Sequence, residues 1–137
     1  MKKITKALVA VFLIALMSTS GIVAFAADAG IDSRLSHTDS GGFSFAVEDN
    51  VGYIGITYYG YDSFVRADLN VKVQKRFLLV FWNDVYEWNA SSTELNGDFY
   101  HEFAVEKSGM YRANITLKVT GNDGTVDTIT DTIQCEN

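Results

Sequence analysis

An all-β fold, an antiparallel sandwich of 6–8 strands without a disulfide, is what this 137-residue sequence predicts. Three observations carry the prediction. Apolar residues recur at every second position through several segments, the period of a strand with one buried and one wet face. Clusters of Gly, Asn, Asp and Ser separate those segments at short intervals. No segment shows a convincing amphipathic helical period.

The first 26 residues stand apart from the fold. Lys2, Lys3 and Lys6 precede an apolar run from Ala7 to Met17, and Ala24-Phe25-Ala26 supplies a small-x-small cleavage pattern. This is the pattern of a secretory signal peptide, with an uncleaved anchor as the competing reading. The expected organisation is a signal peptide at 1–26, a flexible polar arm at 27–42 and a sandwich domain at 43–137, secreted and extracellular.

Within the domain, Phe43-Ser44-Phe45-Ala46-Val47 alternates weakly and reads as an edge strand, followed by a turn at Asp49-Asn50. Gly52 to Tyr59 reads as the next strand, with a loop at Gly60-Tyr61-Asp62-Ser63. Val65, Ala67, Leu69, Val71 and Val73 then share one parity against Arg66, Asp68, Asn70, Lys72 and Gln74. Phe77 to Trp82 is continuously apolar, as expected of a strand buried on both faces. That strand is expected to continue to Trp88 and to end in a polar loop from Asn89 to Asn96. Phe99, His101, Phe103 and Val105 form the apolar parity of another strand. Gly109 turns the chain into the clearest central strand, where Tyr111, Ala113, Ile115, Leu117 and Val119 point inward. Gly121-Asn122-Asp123-Gly124 is a strong hairpin signal, and Val126 to Ile133 is the returning strand.

Two resemblances follow from these residues. Ser108-Gly109-Met110-Tyr111-Arg112-Ala113 resembles the approach to strand F of immunoglobulin-like domains. The resemblance places Tyr111 at the corner tyrosine and Ala113 where the second cysteine would stand, and makes Trp82 the core tryptophan. Ala67 to Lys75, Trp82-Asn83-Asp84-Val85-Tyr86-Glu87-Trp88 and Tyr111-Arg112-Ala113 together resemble small exported proteins of Gram-positive bacteria. That group has no assigned activity, so this second resemblance implies compartment and sandwich only.

Charge and residue counts exclude several functions. Without residues 1–26 the chain has 8 basic and 17 acidic side chains, a net charge of −9. That balance opposes nucleic acid and anionic membranes, so neither is an expected partner after signal cleavage. Cys135 is the lone cysteine, so no internal disulfide forms; it reads as a half-buried thiol at a strand end rather than an intermolecular link. Asp39-Ser40-Gly41-Gly42 matches a serine-protease nucleophile segment by chance, in a chain half the length such barrels need. His37, His101 and Cys135 lack zinc-ligand spacing; Asn122-Asp123-Gly124 with Asp127 and Asp131 has fewer alternating carboxylates than a calcium loop uses, and the hairpin turn explains the Asn-Asp-Gly. Glu87, Glu94, Glu102 and Glu106 read as solvated charge. No cofactor, metal or enzymatic activity is expected.

The aromatics carry the functional expectation. Tyr53, Tyr58, Tyr59 and Tyr61 cluster, and Tyr86 and Trp88 follow the apolar strand. Large rigid side chains with a polar tip suit glycan or protein contact, and the alternative is cross-strand pairing that stabilises the sheet. Tyr58, Tyr59, Tyr61, Tyr86 and Trp88 are therefore the candidate binding residues of an extracellular module for a glycan, cell-wall polymer or protein. A secreted effector or antibacterial toxin is the alternative, disfavoured by the acidic charge.

Overall fold

The computed structural model describes residues 35–39, 41–106 and 108–137. The expected signal peptide, and the arm as far as residue 34, lie outside the described residues. Eight strands follow one another: β1 (Thr38–Asp39), β2 (Phe43–Glu48), β3 (Val51–Gly60), β4 (Phe64–Phe77), β5 (Phe81–Ser92), β6 (Asn96–Ala104), β7 (Met110–Gly121) and β8 (Val126–Glu136). They form two sheets, and every pairing is antiparallel. In one, β3 is central, with β2 and β1 end to end along one side and β6 along the other. The other runs β5-β4-β7-β8. This is the expected immunoglobulin-like sandwich, with β4 in the place of strand C and β7 in that of strand F.

The inner faces follow the sequence parity. Phe45, Ile54, Ile56, Tyr58, Phe99 and Phe103 from the first sheet meet Leu69, Val71, Val73, Tyr111, Ile115, Leu117 and Val119 from the second. Interdigitation of these branched and aromatic side chains excludes water and is the main stabilising term. Tyr111 is buried at the start of β7, and Ala113 is fully buried at the expected cysteine position.

Three expectations are corrected. The first concerns the arm. From Leu35 onward it is docked: Asp127 accepts hydrogen bonds from the backbone N–H of Ser36 at 2.8 Å and of His37 at 2.6 Å. The buried His37 ring sits between the hydroxyls of Ser63 (2.7 Å from Nδ1) and Thr125 (2.6 Å from Nε2). A Cβ at Gly121 would lie 2.2 Å from that ring, so only glycine leaves it room. These partners lie 26 to 91 residues away along the chain, which is why local composition predicts looseness.

The second concerns Phe77–Trp82, which is a hairpin connection and not a buried strand. β4 ends at Phe77, β5 begins at Phe81, and these two residues are paired across the turn. The hydrophobic run misleads because continuous apolarity normally signals burial on two faces. The third concerns the tryptophans. The register of β4 against β5 shifts between Val73 and Gln74, which pair with Tyr86 and Asp84 and leave Val85 as the extra residue. Positions 82, 84, 86 and 88 share one parity in sequence, yet the bulge turns Tyr86 and Trp88 inward and Trp82 and Asp84 outward. Trp88 packs on the core, whereas Trp82 lies on the outer face under the Arg112 guanidinium, 4.2 Å from the ring centroid.

Candidate functional site

The β4–β5 hairpin carries the most unusual surface of the described residues. Phe77, Leu78, Leu79, Val80 and Phe81 are consecutive, and all lie between 53% and 80% exposed. Leu78 and Leu79 both adopt left-handed backbone, at φ 46° and 66°. The β2–β3 hairpin shows which residues ordinarily take positive φ: Asp49 and Asn50 do so there, at φ 50° and 62°. Asn, Asp and Gly tolerate that region, whereas a branched aliphatic side chain there is strained by about 1–2 kcal/mol. Neither turn chemistry nor solvation favours two leucines at this point. A closing hydrogen bond runs from the Val80 N–H to the Leu78 carbonyl at 2.9 Å.

The base of the hairpin is cationic and aromatic. Lys75 reaches over the Tyr111 ring at 5.5 Å, and Arg76 is paired across the ladder with Trp82. Arg112 holds Trp82 from the neighbouring strand and donates to the Gln74 side chain at 2.7 Å. Gln74 in turn donates to Asp84 at 2.6 Å, and Lys72 lies 3.6 Å from the same carboxylate. Beside this base, where the two sheets part, is a cleft of about 410 Å³ lined by Lys75, Val85, Tyr86, Phe103, Glu106 and Tyr111 among others.

The five sequence-predicted contact residues do not form one face. Tyr58 is fully buried; its ring stacks with Phe64 and Phe99, and its hydroxyl donates to the Glu94 carbonyl at 2.8 Å. It is a core residue, a correction that follows from strand alternation: Tyr58 and Tyr59 point to opposite faces, and Tyr59 is the exposed one. Tyr59 and Tyr61 are both exposed near Leu95, at the end of the sandwich opposite the hairpin. Tyr86 and Trp88 are half-buried in the seam between β5 and β6.

That seam is an aromatic ladder. Tyr86 stacks on Phe103 at 4.3 Å and on His101 at 5.7 Å, and Trp88 stacks on His101 at 4.7 Å. The Tyr86 hydroxyl and His101 Nε2 are hydrogen-bonded at 2.5 Å. Because these rings lie against one another, Tyr86 and Trp88 are not a free platform on which a sugar ring could stack. They close the open edge of the sandwich. His101 is the partly buried structural histidine expected of its strand parity.

The perturbed titrations lie outside both regions. Burial pushes the Cys135 thiol up to about 11, against a smaller opposing effect of a hydrogen bond with the Val47 backbone. Burial and the Glu102 carboxylate, which accepts from the Tyr100 hydroxyl at 2.5 Å, raise Tyr100. Asp123 is lowered, chiefly by the Thr125 hydroxyl that donates to it at 2.6 Å. Among the described residues no group of three or more His, Cys, Asp or Glu side chains could hold a metal ion.

Sequence reasoning missed the hairpin tip, whose one available signal was an apolar run flanked by Lys75-Arg76 and Asn83-Asp84. No protein-family model matches the chain, and no curated protein matches it. Among solved structures it is similar to wild-type OgpA from Akkermansia muciniphila, with a TM-score of 0.44 and 14% identity over 73% of this chain and 29% of that one. Catalytically inactive OgpA in complex with an O-glycopeptide substrate gives a TM-score of 0.43 and 13% identity, over 76% of this chain and 32% of that one. The chain thus spans about a third of the length of these neighbours.

Proposed function

We propose that this chain is a secreted, non-catalytic β-sandwich that works as an extracellular binding module and docks through the apolar tip of its β4–β5 hairpin. One observation carries the reading. Five consecutive large apolar side chains project into solvent on a turn whose first two residues, Leu78 and Leu79, occupy positive-φ backbone suited to Asn or Gly. Water and local conformation both oppose that sequence, and burial against a partner relieves the first of these costs. Strained residues persist where the surrounding structure holds them, and such sites cluster at ligand contacts.

The test is retention of the protein on isolated bacterial cell envelopes and on insoluble glycans. Leu78→Asn/Leu79→Gly keeps the turn and removes the two most apolar contacts at its apex. Retention on envelopes is expected to fall at least about tenfold in this variant, since burying a single leucine is worth about 1.5–3 kcal/mol. Tyr59→Ala/Tyr61→Ala, at the opposite end, is expected to leave it unchanged. Equal retention of wild type and tip variant would refute docking through the hairpin. Retention lost only in the tyrosine variant would move the site to the other end of the sandwich.

A further inference from the structure

The order of groups along the hairpin points to the kind of partner. We infer that the β4–β5 tip is a shallow membrane anchor that inserts into the outer part of an anionic lipid bilayer; this rests on the docking reading above and names its partner. Beyond Lys75, the last β4 residue paired with β7, the hairpin continues alone through two ladder pairs and the turn. At about 3.3 Å per residue this overhang is roughly 10 Å, the depth at which interfacial elements sit. Its apex carries only hydrocarbon and phenyl groups, from Phe77 to Phe81. At the next level stand Trp82 and Arg76, then Arg112 and Lys75.

A leaflet presents the same sequence of environments: acyl chains, then an interface where tryptophan sits, then anionic headgroups that attract lysine and arginine. The charge distribution agrees with this orientation. The described residues hold six lysine and arginine side chains, Arg66, Lys72, Lys75, Arg76, Arg112 and Lys118. Three of them, Lys75, Arg76 and Arg112, lie at the hairpin end of their sheet, and Lys72 stands mid-strand opposite Glu87. The acids at this end are Asp84, engaged by Lys72 and Gln74, Glu106 in the cleft beside Lys75, and Glu136 paired with Met110. The net charge of the chain opposes an anionic surface, so the attraction is local to Lys75, Arg76 and Arg112 around the hairpin. Insertion this shallow is compatible with a turn, because its outward backbone groups stay within reach of headgroups and water.

Two measurements test the inference. Phosphatidylcholine vesicles with and without phosphatidylglycerol are sedimented with wild type, Leu78→Asn/Leu79→Gly and Arg76→Gln. In a Trp88→Phe background Trp82 is the sole tryptophan, so its quenching by brominated lipid reports the position of the hairpin base whatever residues 1–26 do. Wild type is expected to bind, more tightly with phosphatidylglycerol, and to bring Trp82 within quenching range. The tip variant should bind at least about tenfold more weakly and lose the quenching, and Arg76→Gln should weaken the anionic vesicles alone by roughly fivefold. Absence of wild-type binding, or quenching equal in wild type and tip variant, would overturn the membrane assignment. If envelopes still retain the protein in a tip-dependent way while pure vesicles do not, the hairpin docks on a protein or polymer. If neither does, the docking reading itself fails.

Discussion

Replacing Leu78 and Leu79 by Asn and Gly should make this protein more stable, the reverse of the usual effect of cutting large apolar residues. The leucines sit at φ 46° and 66°, and Leu79 is 80% exposed, so little packing is lost when they go. Left-handed backbone costs a non-glycine residue about 1–2 kcal/mol, less for Asn and nothing for Gly. Against that gain stands the larger unfolded-state entropy of glycine, about 0.5–1 kcal/mol. The net expectation is a stabilisation of about 1–2 kcal/mol, or a rise in Tm of roughly 5–10 °C for a domain of this size. Thermal unfolding followed by circular dichroism, at a concentration low enough to avoid self-association, reads it directly. A Tm lowered by a similar amount would mean that the leucines hold the hairpin together through their own contacts. The hairpin would then be a structural element and not a strained, outward-facing one.

Further expectations follow from the sandwich itself. Trp88→Ala should cost about 3 kcal/mol because it opens the ladder with His101 and Phe99, whereas Trp82→Ala should cost under about 1 kcal/mol, the worth of one exposed cation–π contact. Equal losses in denaturant melts would mean that the bulge at Val85 does not reverse the strand. Asp127→Ala leaves the Ser36 and His37 N–H groups without their acceptor and should destabilise by about 1–3 kcal/mol, with faster proteolysis near residues 35–39. Unchanged protease resistance there would refute the docking of this segment. The folded Cys135 thiol titrates near 11 and the unfolded one near 9.0, so the fold favours the protonated form. Its contribution is complete below pH 9 and is lost as pH rises to 11. At pH 8 its alkylation should be slower than in urea-unfolded protein by on the order of tenfold or more, and equal rates would place the thiol in solvent.

Strand existence was legible because alternation is a local property. The parity of Ala67–Val73 and Tyr111–Val119 places those residues inside, and β4 and β7 bury them; Val65, of the same parity, is 46% exposed because the register with β7 shifts between Phe64 and Arg66. The turns at Asp49-Asn50 and Gly121–Gly124 were legible for the same reason, since positive φ selects few residue types. Phe77–Phe81 was misread because apolarity ordinarily reports burial, and here it reports a surface. The candidate contacts were half legible: alternation separates Tyr58 from Tyr59, yet nothing in a list of residues says which of the pair faces water.

By itself, then, the sequence determined the all-β class, the antiparallel order and most inward-facing positions, because each depends on neighbours two residues apart. Only the tertiary structure decided the rest, and in each case through partners distant in the chain. One inserted residue at Val85 reversed the faces of Trp82 and Trp88. Asp127 and Gly121 gave a polar N-terminal segment its place beside β3. The end of β7 pairing at Lys75 left a cation-collared apolar hairpin standing free.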